Sequence, residues 1–299
     1  MSSSTPIWNR VDADCRVAVI GLGLIGGSFA AALRLARPRW SIVGCDRDDA
    51  ASARAVADGL VDRVTPVASE ALKDADVIVL ATPVGVILDL VAQLDRLVAR
   101  EAVVIDVGST KGLIVDAMSG LSDRLHAIGG HPMTGPLTAG SSLPSGRLFA
   151  GTRFVLSPTA RTTPSTLDWA LQLLSDFGAN VVVMDANEHD RAVAVTSHLP
   201  YLISLPLLEL FAEQDEVTQS LAAGGFQSRV DGVGSSVEMW RDIVQSNRRA
   251  IAAAISAYAG RLRALERDVL EGSTQVLQDR IDRAVRAAHK VPRTSNRQT

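Results

Sequence analysis

The sequence predicts a doubly wound α/β sheet followed by an all-helical half, and three observations carry the prediction. Short, uniformly apolar, β-branched runs recur through residues 15–185, as expected of strands covered on both faces of a parallel sheet. Segments of helical period, rich in alanine and leucine, separate those runs. Beyond Asp185 the strand signals stop and only helical segments follow.

Each element can be justified in order. Residues 1–14 are polar and irregular and read as a disordered tip. Residues 15–20 form the first strand, a glycine-rich loop follows, and 28–35 is a helix. Residues 40–45 are the second strand, with an alanine-rich stretch running to Gly59. Val77–Leu80 and 103–106 are strands with a helix over 86–99 between them, and 127–129, 154–156 and 181–184 add three more. These make a first domain over 15–185. The second domain, 186–289, holds helices over 192–211, 217–223, 238–265 and 273–288, with Pro200 and Pro206 predicting kinks. Residues 224–236 are a glycine- and serine-rich break, either a flexible linker or a close-approach site. The helix around 192–211 is apolar nearly all round, so it needs covering, and a homodimer is the expected cover. Residues 290–299 read as a solvated tail.

Composition excludes several classes. The 299 residues carry a net charge of −3, whereas a nucleic-acid binder is normally basic. Cys15 and Cys45 lie in strand-like segments and read as small buried hydrophobes rather than a disulfide or metal site. The histidines show no metal-ligand spacing, and no metal is expected. No basic region followed by an apolar run opens the chain, and the apolar stretch 201–211 is too short to span a bilayer. A cytoplasmic protein acting on a small molecule, with no nucleic-acid or membrane partner, is expected.

The loop Gly21-Leu22-Gly23-Leu24-Ile25-Gly26 follows a strand and opens a helix, the context that makes this spacing a dinucleotide site of Rossmann-like type. The first glycine permits a tight turn, the second a close approach to pyrophosphate, and the third close helix–strand packing. Asp46 closes the second strand. An acid there accepts from the adenosine ribose hydroxyls and repels a 2′-phosphate, which favours NAD over NADP. Arg47 follows it and could instead greet that phosphate. Thr82 and Pro83, just past the strand Val77–Leu80, join the expected cofactor contacts.

Two further segments end strands, where the ligand crevice of an open parallel sheet lies. One is Asp106-Val-Gly108-Ser109-Thr-Lys111, in which Ser109 touches cofactor or substrate, or caps the next helix. The other is Gly129-Gly130-His131-Pro132-Met133-Thr134-Gly135. A histidine between glycines suits a crevice better than a core, and imidazole is the usual base for a hydroxyl being oxidised. His189 and His198 are nine residues apart and fall on opposite faces of a regular helix at about 100° per residue. His198 and Tyr201 share a face.

Together these segments resemble the prephenate/arogenate dehydrogenase family. The matching pieces are residues 19–28 of the loop, Asp106-Val-Gly-Ser-Thr-Lys111, His131-Pro-Met-Thr-Gly135, His189-Asp190, Ser197-His-Leu-Pro200, Gly224-Gly-Phe226 and Met239-Trp-Arg-Asp-Ile243. The resemblance implies a Rossmann-like sheet followed by an all-α dimerisation domain. It implies oxidative decarboxylation of prephenate, or of arogenate, in tyrosine biosynthesis. It makes His131 the base on the ring hydroxyl and Ser109 the serine that orients it. It assigns Ser197, His198, Tyr201, Gln227, Arg229 and Trp240 to the substrate. The chain departs from the family pattern at Tyr201, at Gln227, at Leu137 where an acid is usual, and at Asp231 in place of a carboxylate-binding arginine. Arg229, ahead of Arg241, is the expected replacement cation. Asp231 would welcome the ammonium of arogenate. Two other readings are a hydroxyacid or imine reductase, whose helical-half lysine this chain lacks, and a non-catalytic dinucleotide sensor.

Overall fold

The computed structural model describes residues 7–11, 14–134, 143–234 and 236–291. The chain divides into two compact units, Met1–Ile251 and Ala252–Thr299.

The first unit opens with α1 (Ile7–Val11), β1 (Arg16–Ile20), α2 (Leu24–Ala36), β2 (Ser41–Cys45), α3 (Asp49–Ala57), β3 (Arg63–Val64), α4 (Ala68–Leu72), β4 (Val77–Leu80), α5 (Val84–Leu97), β5 (Ala102–Asp106), α6 (Gly112–Ser119), β6 (Leu125–Pro132), β7 (Arg153–Pro158), α7 (Pro164–Asp176) and β8 (Asn180–Val183). The strands form one sheet in the order β3-β2-β1-β4-β5-β6-β7-β8. β4 and β5 are buried throughout, which is why their sequences show runs rather than alternation. Their residues alternate between two cores: Val77, Val79, Val103 and Ile105 face Phe29 and Leu33 on one side, while Ile78, Leu80 and Val104 face Ile87, Leu94 and Ile114 on the other.

Two expectations change here. The sheet is not wholly parallel, because β6 and β7 pair antiparallel; that pairing needs no crossover helix, and the described residues between them hold none. Nor is 1–14 simply a disordered tip. Ile7 and Val11 of α1 are 0% and 2% exposed within the core, and the Ile7 amide donates to Glu101 at 3.1 Å. Two apolar residues four apart anchor one helical turn whose polar neighbours conceal it in the sequence.

The rest of the first unit is helical: α8 (Ala186–Val193), a π-turn (Ala194–His198), α9 (Leu199–Ala212), α10 (Glu216–Ser220), α11 (Gly224–Val230), a 3₁₀ turn (Asp231–Gly234) and α12 (Val237–Ser246). α8 through α9 is one helical run, Ala186–Ala212. Pro200 has no N–H and its ring crowds the carbonyl four residues back; the turn immediately ahead of it is widened to a π-turn, which gives that ring room. Though the stretch 201–211 is short, the whole run is long and apolar enough to cross a bilayer. Its His189, Asp190 and His198 are nonetheless buried in hydrogen bonds to other elements. The expected glycine-rich break at 224–236 is instead α11 and the 3₁₀ turn over its described residues. Phe226 of α11 packs on Phe211 of α9, and Ser204 donates to the Arg229 carbonyl at 2.8 Å.

The expected helix over 238–265 is two helices, α12 and α13 (Arg248–Glu271), separated at Asn247. That side chain is buried and bonded, so it ends the helix where it does. Within the second unit, the remainder of α13 and α14 (Thr274–Ala288) are joined by Arg280 on Asp268. The tail residues 292–299 lie outside the described residues, as do Gly135 and Leu137.

Candidate active site

The order reverses between β1 and β4, so the crevice opens past their carboxyl ends. Gly21 has φ +96°, and a Cβ there would lie 2.5 Å from the Ala81 carbonyl oxygen. A Cβ on Gly26 would lie 1.9 Å from the Gly21 oxygen, whereas one on Gly23 meets nothing. The outer glycines thus lock β1, α2 and β4 together, and the middle one leaves a clear backbone surface at the helix start. α2 has no side-chain cap, so its first amides are available to an anion. Leu22 is buried, while Leu24 and Ile25 are half-buried on the first turn of α2. Asp46 accepts from the Leu22 amide at 2.5 Å, which holds its carboxylate against the loop. Arg47 is turned to Glu238 of α12 at 3.1 Å. The Thr82 hydroxyl is buried without a partner among the described residues, and its methyl borders Gly21. Pro83 leads into α5, whose Gly85 amide donates to Asp242 of α12 at 3.0 Å. A clear loop surface, an unfilled hydroxyl and a carboxylate at the end of β2 fit a dinucleotide.

The next strands supply the chemistry. β5 and β6 run parallel with Ile105 against Ile128, so His131 lies level with the loop that follows Asp106. Strand β6 extends through Pro132, so the histidine ends the strand rather than following it in a loop. Asp106 and Lys111 are both 0% exposed and form an ion pair. Asp106 also accepts from Gly108 at 2.8 Å and Gly130 at 3.1 Å. Burial pushes the Asp106 carboxyl up and the Lys111 ammonium down, each opposed by the other's charge. This pair fixes the end of β5 to the residue before His131. Sequence reading overlooked it, although an acid and a lysine five apart at a buried strand end were visible.

His131 does not pair with Ser109. Its Nδ1 meets His189 Nε2 at 2.8 Å, with the two rings nearly perpendicular. His189 Nδ1 meets Asp190 at 2.8 Å, and Asp190 accepts from the Lys111 and Gly112 amides at 2.7 and 2.9 Å. The partner of His131 Nδ1 is therefore His189 and not Ser109; Ser109 is half-buried on the loop between Asp106 and Lys111 and makes no hydrogen bond among the described residues. Burial first, then the charges of His189, Lys111 and His198, hold His131 well below its usual 6.5.

His198 also joins this cluster, contrary to the opposite-faces expectation. A π-turn advances less than 100° per residue, and it rotates His198 back toward His189. His198 is 1% exposed, and burial pushes its pKa down to about 4. Asn247 donates to the Asp190 carbonyl at 2.8 Å and meets His198 Nδ1 at 3.3 Å, while Thr110 and Ser246 share a 2.8 Å bond. Sequence carried no signal for Asn247, Ser246 or Glu238, and it offered Asp242 only as part of the Met239–Ile243 motif, because their partners are far away in the chain. Trp240 stacks on Tyr201 at 3.6 Å and stands edge-on to His198; its indole nitrogen is buried without a partner among the described residues. Ser197 is exposed.

The structure does not bring Gln227 or Arg229 to the histidines. Both are exposed on α11, and the Arg229 guanidinium folds back on its own Gly225 carbonyl at 2.7 Å. Arg241 leans on Asp242 at 3.1 Å, and Asp231 is exposed in the 3₁₀ turn. Among the described residues, no group of three His, Cys, Asp or Glu could hold a metal ion.

Residues 29–183 match the family model described as "Prephenate dehydrogenase, nucleotide-binding domain", and 185–282 match "Prephenate dehydrogenase, dimerization domain". The chain is 32% identical over 240 residues to a prephenate dehydrogenase of Bacillus subtilis, covering 79% of this chain. It spans 65% of that relative's length, and the same share of one from Lactococcus lactis. Among solved structures it resembles prephenate dehydrogenase of Aquifex aeolicus in complex with hydroxyphenyl propionate and NAD+, with TM-score 0.84, 26% identity and coverage of 93% and 98% of the two chains. It also resembles Synechocystis arogenate dehydrogenase, with TM-score 0.77, 29% identity and coverage of 92% and 99%.

Proposed function

The chain belongs to the prephenate dehydrogenase family, and we propose that it converts prephenate to 4-hydroxyphenylpyruvate and CO2 with NAD, on the route to tyrosine. The observation that carries this reading is His131 at the carboxyl edge of the sheet that holds the glycine loop, with Nδ1 already engaged. Nε2 is thus the nitrogen left for a substrate hydroxyl. When bound, NAD supplies the acceptor for the hydride leaving C4. Gly23 and the start of α2 would hold its pyrophosphate, Asp46 its ribose, and Thr82, Pro83 and Ser109 its nicotinamide half. His131 takes the hydroxyl proton as C4 becomes a carbonyl. The C–C bond to the ring carboxylate breaks, its electron pair makes the ring aromatic, and the resulting phenolate takes the proton back from His131. The chain need only orient the reacting atoms and hold one base in the correct form.

The Trp240 indole N–H, next to Tyr201 and His198, is the donor we assign to a substrate carboxylate, since Arg229 turns away. We place the domain boundary at 185/186, and we assign the protein to the cytoplasm as a homodimer. Support for the dimer is the matched dimerization-domain model and the exposed Leu210, Leu262, Val269, Ile281 and Val285. The test is a paired assay of prephenate and arogenate with NAD and NADP. The expected result is NADH formation with prephenate at the higher kcat/KM; NAD binding without turnover of either acid would leave only a sensor.

The cofactor side makes a second prediction. Arg47 could attract a 2′-phosphate, but Glu238 holds its guanidinium beside the repelling Asp46. Exposed pairs of this kind contribute up to about 1 kcal/mol. Glu238→Gln should therefore raise the NADP/NAD ratio of kcat/KM by up to about fivefold, with NAD still preferred because Asp46 remains. An unchanged ratio would remove Glu238 from cofactor choice.

A further inference from the structure

We propose that His189 and Asp190 are positioning residues that fix His131 in the tautomer whose Nε2 is bare, a proposal that rests on His131 being the base. The argument starts at the far end of the hydrogen-bonded chain. Asp190 accepts three hydrogen bonds, from the Lys111 and Gly112 amides and from His189. Burial pushes its carboxyl up, and the His189, Lys111 and Gly112 hydrogen bonds more than offset that and hold it below the usual range. An ionised carboxylate only accepts, so the hydrogen of His189 sits on Nδ1. With that hydrogen on Nδ1, the Nε2 of His189 is the ring's accepting nitrogen. His131 Nδ1, 2.8 Å away, must be the donor, and its Nε2 carries no hydrogen. Reversing either hydrogen bond would place two donors, or two lone pairs, face to face in a buried site.

The same order serves both halves of the reaction. With a bare Nε2, His131 accepts the hydroxyl proton. Once protonated, it still donates from Nδ1 to His189, whose own Nδ1 hydrogen faces the Asp190 charge, so the imidazolium is stabilised while the proton stays on His131. The logic parallels that of a Ser-His-Asp triad, with an imidazole inserted between base and carboxylate. His189 is 1% exposed and Asp190 7%, so water does not replace either partner. Asp190 also grips the backbone of Lys111 and Gly112, fixing the base relative to the loop that carries Ser109.

The experiment is a long-range 1H–15N correlation on the full chain labelled at histidine, without substrate, at pH near 7.5. The signal of His131 is identified among the five histidines by its loss in His131→Asn. The expected pattern is a protonated Nδ1 and a bare Nε2; a protonated Nε2 would overturn the proposal. Because no substrate is present, this result stands or falls separately from the identity of the ring acid. The kinetic arm compares His189→Gln, whose carbonyl can accept where Nε2 did, with His189→Leu, which cannot. The glutamine variant should keep kcat within about fivefold, and the leucine variant should lose on the order of 10²-fold, with NAD affinity and KM little changed. Equal losses in both variants, or full kcat in the leucine variant, would reduce the dyad to packing.

Discussion

Replacing His131 with asparagine should lower kcat by about 10²–10⁴-fold, the range for losing a positioned general base, while NAD binds within a few fold of wild type. The two effects separate because His131 lies at the end of β6 whereas the glycine loop follows β1. Stopped-flow hydride transfer together with a fluorescence titration of the dinucleotide measures both. A kcat loss under tenfold would exclude His131 as the base. The pH dependence has a definite sign. His131 is held well below 6.5 by burial and by His189, Lys111 and His198, so the free protein keeps the base form as pH falls through 6.5. The acidic limb of kcat/KM, which reports the free protein, should lie well below 6.5. The substrate proposed above would bring two carboxylates to the site, and nearby negative charge raises a histidine pKa. The acidic limb of kcat should therefore lie at higher pH than that of kcat/KM, and asparagine should remove the limb altogether.

What could be read in advance follows from where the determining contacts lie. The strands β1, β4 and β5 were legible because burial on both faces leaves an unbroken apolar run. The glycine loop was legible because its three glycines answer to backbone constraints only a few residues away, apart from the approach of Ala81. The partner of His131 was not. Ser109 was close in fold order and chemically plausible, but the contact depends on α8 crossing the sheet end, which places His189 there. His198 was misplaced because its angle was counted with a regular helix, and five residues of π-turn change the phase. α11 was hidden because Gly224 and Gly225 disfavour helix, yet Phe226 on Phe211 and the Ser204 bond secure it. For His131 and α11 a tertiary contact decided the outcome; for His198 the widened turn changed the local rule itself.

The largest stability effect should come from Lys111→Met. Methionine roughly matches the volume of the lysine stem, so the variant tests charge rather than cavity formation. It leaves the Asp106 carboxylate 0% exposed with only the Gly108 and Gly130 amides as donors. Stranding a buried charge in this way costs about 3–5 kcal/mol, or a fall in Tm of roughly 6–20 °C at 2–4 °C per kcal/mol. Burial already pushes Asp106 up, and Lys111 opposes that rise; without the ammonium it rises further. A carboxyl raised in the folded state favours folding at pH below its unfolded pKa and loses that contribution as pH rises through the folded value. The deficit relative to wild type should thus be smallest in acid and grow toward neutral pH. Asp106→Asn added to Lys111→Met removes the stranded charge and should recover more than half of the loss, which two independent damages would not do. Loss of the Lys111 charge also removes one of the causes that hold His131 low, so the acidic limb of kcat/KM should move to higher pH in the folded single variant. Urea unfolding between pH 5 and 8 on wild type, both single variants and the double variant decides the matter. A single-variant deficit under 1 kcal/mol that does not change with pH would mean that Asp106 and Lys111 share a proton as a neutral pair and that the carboxylate was never stranded.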